Sequence, residues 1–156
     1  MYQLLFQSPL GPLTLSGTEE AVTALSFGAL PGAGDVACPL LEEAARELDA
    51  YFQGRRRTFA VPLAPAGTPF QQRVWAELRE IPFGATASYG EIAARIGNPR
   101  ACRAVGMANH RNPIAILIPC HRVVGRSGSL VGYAGGLDIK RALLELEGAA
   151  QRRAAP

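Results

Sequence analysis

Cys120-His121-Arg122 sets a thiol, an imidazole and a guanidinium side by side in a chain of 156 residues. A cysteine thiolate is a soft nucleophile suited to attack on saturated carbon. A free thiol has a pKa near 8.5, and a neighbouring base or cation brings it down to roughly 3.5–7.5 in activated sites. A histidine can take the thiol proton, and an acid can orient that histidine. The other reading of any lone cysteine is a small, inert, buried side chain; Cys38 and Cys102 are assigned to it. For Cys120 the two polar neighbours after Pro119 favour reactivity, although adjacent residues of an extended chain point apart. The triplet is delivered by Ile114-Ala115-Ile116-Leu117-Ile118, an apolar run that predicts a buried strand or extended segment. Pro119 keeps Ile118 extended and fixes its own φ.

The elements around this triplet are marked by end signals. Thr68-Pro69-Phe70-Gln71 combines an N-cap, a proline in the first turn and a capping-box glutamine. The helix that follows is expected to turn Phe70, Val74, Trp75 and Leu78 inward. Ser88-Tyr89-Gly90-Glu91 is a second capping box, opening a helix that ends at Gly97 as a left-handed C′ residue. Asn98-Pro99 predicts that another helix begins at once, giving a helix-turn-helix. Ala101, Ala104, Val105 and Ala108 recur along it at helical spacing with Gly106 between them. Such small side chains allow close approach, either to a neighbouring helix or to DNA, and Arg100 and Arg103 add cations at its start. Gly132-Tyr133-Ala134-Gly135-Gly136 reads as a loop able to close over a ligand. Leu137–Glu147 reads as a final helix with Ile139, Leu143 and Leu146 inward. Glu147 falls in its last turn, where the helix dipole disfavours an anion, which points to a partner for the carboxylate.

The first half has a different grammar. Alternation from Tyr2 to Gln7, the turn Ser8–Gly11, and the segments 13–15 and 22–27 predict strands. Pro39 opens a helix with Leu41, Ala45, Leu48 and Phe52 on one stripe, closed by Gly54, and residues 59–63 suggest one more strand. Ala64–Gly67 is the linker candidate. The predicted fold class is α+β: a small N-terminal α/β domain with a short antiparallel sheet over residues 1–66, a mainly helical domain containing the helix-turn-helix over 67–149, and a flexible tail over 150–156. Residues 1–67 carry four Arg and seven acids, whereas 68–156 carry twelve basic residues and six acids. A basic half beside an acidic half suits a polyanion partner, with plain solubility as the alternative. Fifteen Arg stand against one Lys, a bias attributable to genome composition as much as to phosphate binding. Three cysteines without C-x-x-C spacing argue against a disulfide framework, two histidines give no zinc cluster, and no apolar run is long enough to span a membrane. The first residues carry no secretory signal pattern.

Taken together, the residues 68–148 resemble the O6-alkylguanine-DNA alkyltransferases, the methylated-DNA–protein-cysteine methyltransferases. The resemblance is carried by Ile118-Pro119-Cys120-His121-Arg122-Val123-Val124, with Ser88-Tyr89, Asn98-Pro99, Arg103-Ala104-Val105-Gly106, Arg111-Asn112-Pro113, Tyr133-Ala134-Gly135-Gly136-Leu137 and Leu143–Gly148 in order around it. It implies single-use, direct-reversal repair: an alkyl group on O6 of guanine, with O4 of thymine as a further candidate, moves to Cys120. His121 would be the base acting through a water, Glu147 would orient it, and Asn112 would order the turn. Tyr89 would donate to the departing guanine, and Arg103 would fill the gap left by the flipped nucleotide. DNA contacts are expected from Arg100, Ala101, Arg103, Ala104, Tyr89 and Arg122, with the second helix of the helix-turn-helix in the minor groove. Tyr133, Ala134, Gly135 and Val123 would line the substrate pocket. The implied partner is double-stranded DNA bearing O6-alkylguanine, met by a cytoplasmic monomer with no cofactor and no metal. The zinc-binding Cys/His set of some members has no counterpart here, and Cys102 and Met107 are bulkier than the Ala or Gly that some members carry on the recognition helix.

Two other classes stand beside this reading. A lesion-binding or regulatory DNA-binding module would use the same helix-turn-helix without covalent change at Cys120. A Cys-His hydrolase or acyltransferase would turn over on esters or peptides and ignore DNA; the directly adjacent Cys-His and the basic half disfavour it.

Overall fold

The computed structural model describes residues 1–30, 36–125, 128–130, 133 and 135–148. The described residues form two compact units, one of residues 1–66 with 113–117, the other of residues 67–112 with 118–148; the tail expected over 150–156 lies outside the described residues.

The first unit is built on a three-stranded antiparallel sheet in the order β1 (Tyr2–Ser8), β2 (Gly11–Gly17), β3 (Val22–Phe27). The β1–β2 register pairs Ser8 with Gly11 across a tight turn, and Gly11 takes φ 99°, open to glycine without strain. Helix α1 (Pro39–Phe52) buries Leu41, Ala44, Glu47, Leu48 and Tyr51. The buried stripe is therefore rotated from the expected one: Ala45 and Phe52 are half-buried, while Tyr51 is enclosed and a carboxylate lies among the apolar residues. Glu47 is tolerated there because it accepts from Ala60 N and Val61 N and pairs with Arg56 at 3.2 Å. The expected strand at 59–63 does not form. Only a bridge of Val22 to Leu63 is made, and the backbone of 60–61 is spent on Glu47 instead.

Residues 113–117 belong to this unit because Leu25 of β3 binds them, donating to Pro113 O at 2.9 Å and accepting from Ala115 N at 3.4 Å. This segment is buried, as its composition requires, but it is not a straight rod. Ile116 has φ 70°, a left-handed conformation that costs a β-branched residue about 1–3 kcal/mol.

The second unit carries helices α2 (Pro69–Leu78), α3 (Tyr89–Arg95), α4 (Cys102–His110) and α5 (Leu137–Leu146). Both capping boxes form, Thr68 with Gln71 and Ser88 with Glu91. Val74, Trp75 and Leu78 are buried in α2, with Phe70 half-buried under the Arg73 guanidinium. Trp75 donates Nε1–H to Ala108 O at 2.8 Å, which ties α2 to α4. Gly97 adopts φ 80° and ends α3 as expected. The second helix of the pair starts later than Asn98-Pro99 suggests. Ala101 is its N-cap and makes no side-chain cap bond, because Asn98 is used to turn the chain through Ala101 N→Asn98 O at 3.0 Å. Two-residue strands β4 (Ala87–Ser88) and β5 (Val123–Val124) pair in parallel. Neither was evident from patterning, since two residues are too few to show a period.

Replacing Ser88 by Ala removes the cap on α3. The expected loss is about 1 kcal/mol, read from urea unfolding; an unchanged midpoint would mean that α3 is held by packing alone.

Candidate functional site

Cys120, His121 and Arg122 form a single 3-10 turn, all three buried, so they are not the extended triplet whose side chains would alternate. The turn is set on both sides by backbone bonds: Cys120 N donates to Ile118 O at 2.7 Å and Arg122 N to Pro119 O at 3.0 Å. Asn112 Nδ2 donates to Ile118 O at 2.9 Å, fixing the chain just before the turn. Val123 leaves it as β5, paired with Ala87, and Val124 pairs with Ser88. Tyr89, the first residue of α3, is thereby held beside the exit of the cysteine turn.

Glu147 is the C-cap of α5 and is 3% exposed. Its Oε2 lies 2.8 Å from His121 Nε2, and both oxygens receive Arg122, with Nε to Oε1 at 2.8 Å and Nη2 to Oε2 at 3.0 Å. Arg122 also donates Nη1–H to Ile81 O at 2.6 Å. Burial alone would raise the Glu147 pKa, but bonds and charges from His121 and Arg122 outweigh it and hold it at about 2. An anionic Glu147 fixes the proton of neutral His121 on Nε2. Nδ1 is then an acceptor, and it has no hydrogen-bonding protein group against it among the described residues. Burial pushes the His121 pKa below its usual range, against the pull of Glu147. The imidazole is therefore a neutral base at physiological pH.

Arg122 is corrected by this geometry. It was expected among the DNA contacts, but it is 6% exposed and its guanidinium is occupied by Glu147 and Ile81. Its side chain orients the acid that orients His121.

The cysteine also departs from expectation. Burial raises the Cys120 pKa; hydrogen bonds from Asn112 and Tyr133 and the charge of Lys140 work the other way without prevailing. The resting group is a neutral thiol, and any attack by its sulfur first requires loss of that proton. Lys140, missed in the sequence, is buried on α5, and burial lowers its pKa to about 8 while Cys120 pulls it up. The inward face of α5 is thus Lys140, Leu143 and Leu144 with Glu147, whereas Ile139 and Leu146 are only half-buried. One signal was available: Lys140 is the chain's single lysine among fifteen arginines.

Tyr89 is half-buried, and burial raises its pKa. Arg100, Arg103 and Ala104 are exposed with Met107 and His110, whereas Val105, Ala108 and Asn109 are buried. The small-residue stripe is therefore split between two faces of α4, and Ala101 is intermediate. Cys102, expected to be buried and inert, is exposed on the same outer face. Tyr133 and Gly135 are half-buried and Val123 is buried; Ala134 lies outside the described residues. No helix of the described residues is long and apolar enough to cross a membrane.

Fold and site together define a helix-turn-helix protein with a buried cysteine backed by a His-Glu-Arg chain. Residues 69–149 match the family model described as 6-O-methylguanine DNA methyltransferase, DNA binding domain, and residues 1–65 match the ribonuclease-like domain of the same enzyme. A methylated-DNA–protein-cysteine methyltransferase of Methanosarcina acetivorans is 53% identical over 156 residues, covering 95% of this chain and 99% of its own length. One from Mycobacterium leprae is 53% identical over 150 residues, covering 90% and 88%. The crystal structure of Mycobacterium tuberculosis OGT in complex with DNA superposes with a TM-score of 0.88 at 49% identity, covering 96% of this chain and 94% of that one. The chain belongs to the 6-O-methylguanine DNA methyltransferase family.

The Glu147 carboxylate supplies a stability test. Its pKa falls from 4.5 in the unfolded chain to about 2 when folded. The folded state thus gains about 3 kcal/mol above the unfolded pKa, lost as pH falls through the folded one. Glu147→Gln should lower stability at neutral pH by about that amount and flatten the acid limb of the unfolding free energy. An acid limb unchanged in slope would show that the pair adds nothing to folding.

Proposed function

We propose that this chain repairs alkylated DNA by direct reversal, moving a methyl or other small alkyl group from O6 of guanine to Sγ of Cys120. The carrying observation is the buried Cys120 turn whose histidine is fixed by Glu147, inside the region that matches the family's DNA binding domain. Double-stranded DNA is the partner. Exposed Arg100 and Arg103 neutralise phosphates, and Ala101 and Ala104 keep the outer face of α4 low enough for a groove. The damaged nucleotide leaves the stack, at a cost of about a few kcal/mol, while Arg103 takes its place in the duplex.

In a pocket assigned to Tyr133, Gly135 and Val123, His121 takes the Cys120 proton through a water. The sulfur attacks the alkyl carbon, an S–C bond forms, and the carbon–O6 bond breaks with its electron pair going to guanine. A hydrogen bond from Tyr89 compensates the charge that develops on the ring. His121 with Glu147 and Arg122 is the proton relay, and Asn112 keeps the turn in place. The product is a thioether, so each monomer acts once, within the cytoplasm. The O4 of thymine is a second candidate substrate of the same geometry. In this reading residues 1–66 are a structural domain and residues 67–149 carry DNA and chemistry.

Intact mass after mixing with a duplex bearing one O6-methylguanine should rise by one methyl. Peptide mapping should place it on Cys120, and Cys120→Ser should show no gain. Lesion-selective binding with no mass gain would make the chain a sensor, and neither binding nor transfer would overturn the reading.

The rate carries a pH signature. Because burial holds the His121 pKa below 6.5, the base stays neutral as pH falls through that value. Single-turnover transfer should be flat there and decline only at lower pH. A rate already halved at the ordinary histidine pKa would show an imidazole that burial does not shift, and a rate that never declines on the acid side would remove His121 from this role.

A further inference from the structure

Asn109 lies on the inner face of α4 and is 4% exposed. Its Nδ2 donates to Cys120 O at 3.4 Å, and its side chain also hydrogen bonds the Tyr89 hydroxyl. Its Oδ1 is buried with no partner among the described residues. The amide orientation is therefore settled by chemistry. A carbonyl oxygen can only accept, so the face turned to Cys120 must be the NH2, and the bond to Tyr89 runs through the same nitrogen. One amide nitrogen, with two protons, serves two acceptors. One turn back along α4, Gly106 lies under the tyrosine ring: a Cβ there would sit 3.9 Å from Tyr89 Cδ1 and Cε1. Helix α4 thus supports both the ring and the oxygen of Tyr89.

This fixes where the phenol proton can go. A hydroxyl that accepts from Asn109 cannot return its own proton to that nitrogen, so its O–H is directed away from α4. We infer that Asn109 is a positioning residue that makes Tyr89 a one-way hydrogen-bond donor to the departing guanine, by occupying the tyrosine oxygen from behind. The donated bond also favours the phenolate, which makes Tyr89 a better donor as charge builds on the ring. The inference rests on the proposed function, in which Tyr89 serves the leaving group. No part of the proton relay through His121 is altered by it.

The test is a double-mutant cycle on single-turnover methyl transfer from duplex DNA with one O6-methylguanine. Asn109→Leu keeps bulk but donates nothing. Asn109→Asp keeps shape and can only accept, drawing the tyrosine proton back to itself. With Tyr89 present, each should slow transfer at saturating DNA by about tenfold, the worth of one hydrogen bond made in the transition state. In the Tyr89→Phe background, each should change the rate by less than about twofold, because there is no phenol left to direct. Equal slowing in both backgrounds would overturn the inference and leave Asn109 a support for the Cys120 carbonyl. So would no slowing by either variant. Thermal melts of each variant separate this from misfolding, and Asn109→Asp serves where Asn109→Leu is unstable. The broader reading fails differently: Tyr89→Phe transferring at the rate of the unaltered protein would remove the tyrosine from the reaction, and no methylation of the unaltered protein would remove the reaction itself.

Discussion

One carboxylate organises the reacting turn. Glu147 receives His121 and Arg122, two consecutive residues, through bonds of 2.8 Å each. A 3-10 turn fans three successive side chains around its axis, so fixing two of them fixes the third, which is Cys120. Measured against an apolar pair of the same shape, a buried ion pair contributes little, since desolvation offsets its attraction, although removing one partner alone is costly. Its use here is geometric: the carboxylate sets the histidine tautomer, and the histidine and arginine together keep the carboxylate ionised inside protein.

Around that anion the unit spends its polar groups on holding backbone. Asn112 takes Ile118 O, Asn109 takes Cys120 O and Trp75 takes Ala108 O. Ile118 O and Cys120 O already accept from Cys120 N and Val123 N, and the asparagine amides add a second bond to each. The parallel pair Ala87–Val123 and Ser88–Val124 then joins the start of α3 to the end of the cysteine turn. Tyr89 and Cys120, distant in sequence, are indexed to each other by two residues of sheet and one asparagine.

What could be read from the sequence was local or motif-borne. The boxes Thr68/Gln71 and Ser88/Glu91 and the left-handed Gly97 announce themselves within four residues, and all three form. The Cys120 motif pointed to the family, and Glu147 was flagged by its unfavourable place at a helix end. What escaped were decisions taken by tertiary contact. Arg122 looks like a surface cation until Glu147 and Ile81 claim it. Lys140 reads as the polar side of an amphipathic helix, whereas α5 turns it inward in place of Ile139. Asn109 has no pattern to mark it, and the bend at Ile116 contradicts its own β-branched preference. Such a conflict between residue and backbone persists only where surrounding contacts over-determine the chain, here through Leu25 on the residues just before it.

The electrostatics bear on why a protein would be consumed by its own reaction. Burial keeps Cys120 protonated and His121 neutral at rest, so the site holds no standing thiolate to meet oxidants or stray alkylating agents. In the proposed reaction the nucleophile is made only when a substrate is present to accept the electron pair. That economy has a consequence for the product. Once Cys120 carries an alkyl group, its sulfur has no proton for His121 to take and no charge for Lys140 to favour. On the proposed mechanism these groups have nothing to act on in the thioether, so the geometry that would activate the thiol late would also leave the alkylated protein without a way back.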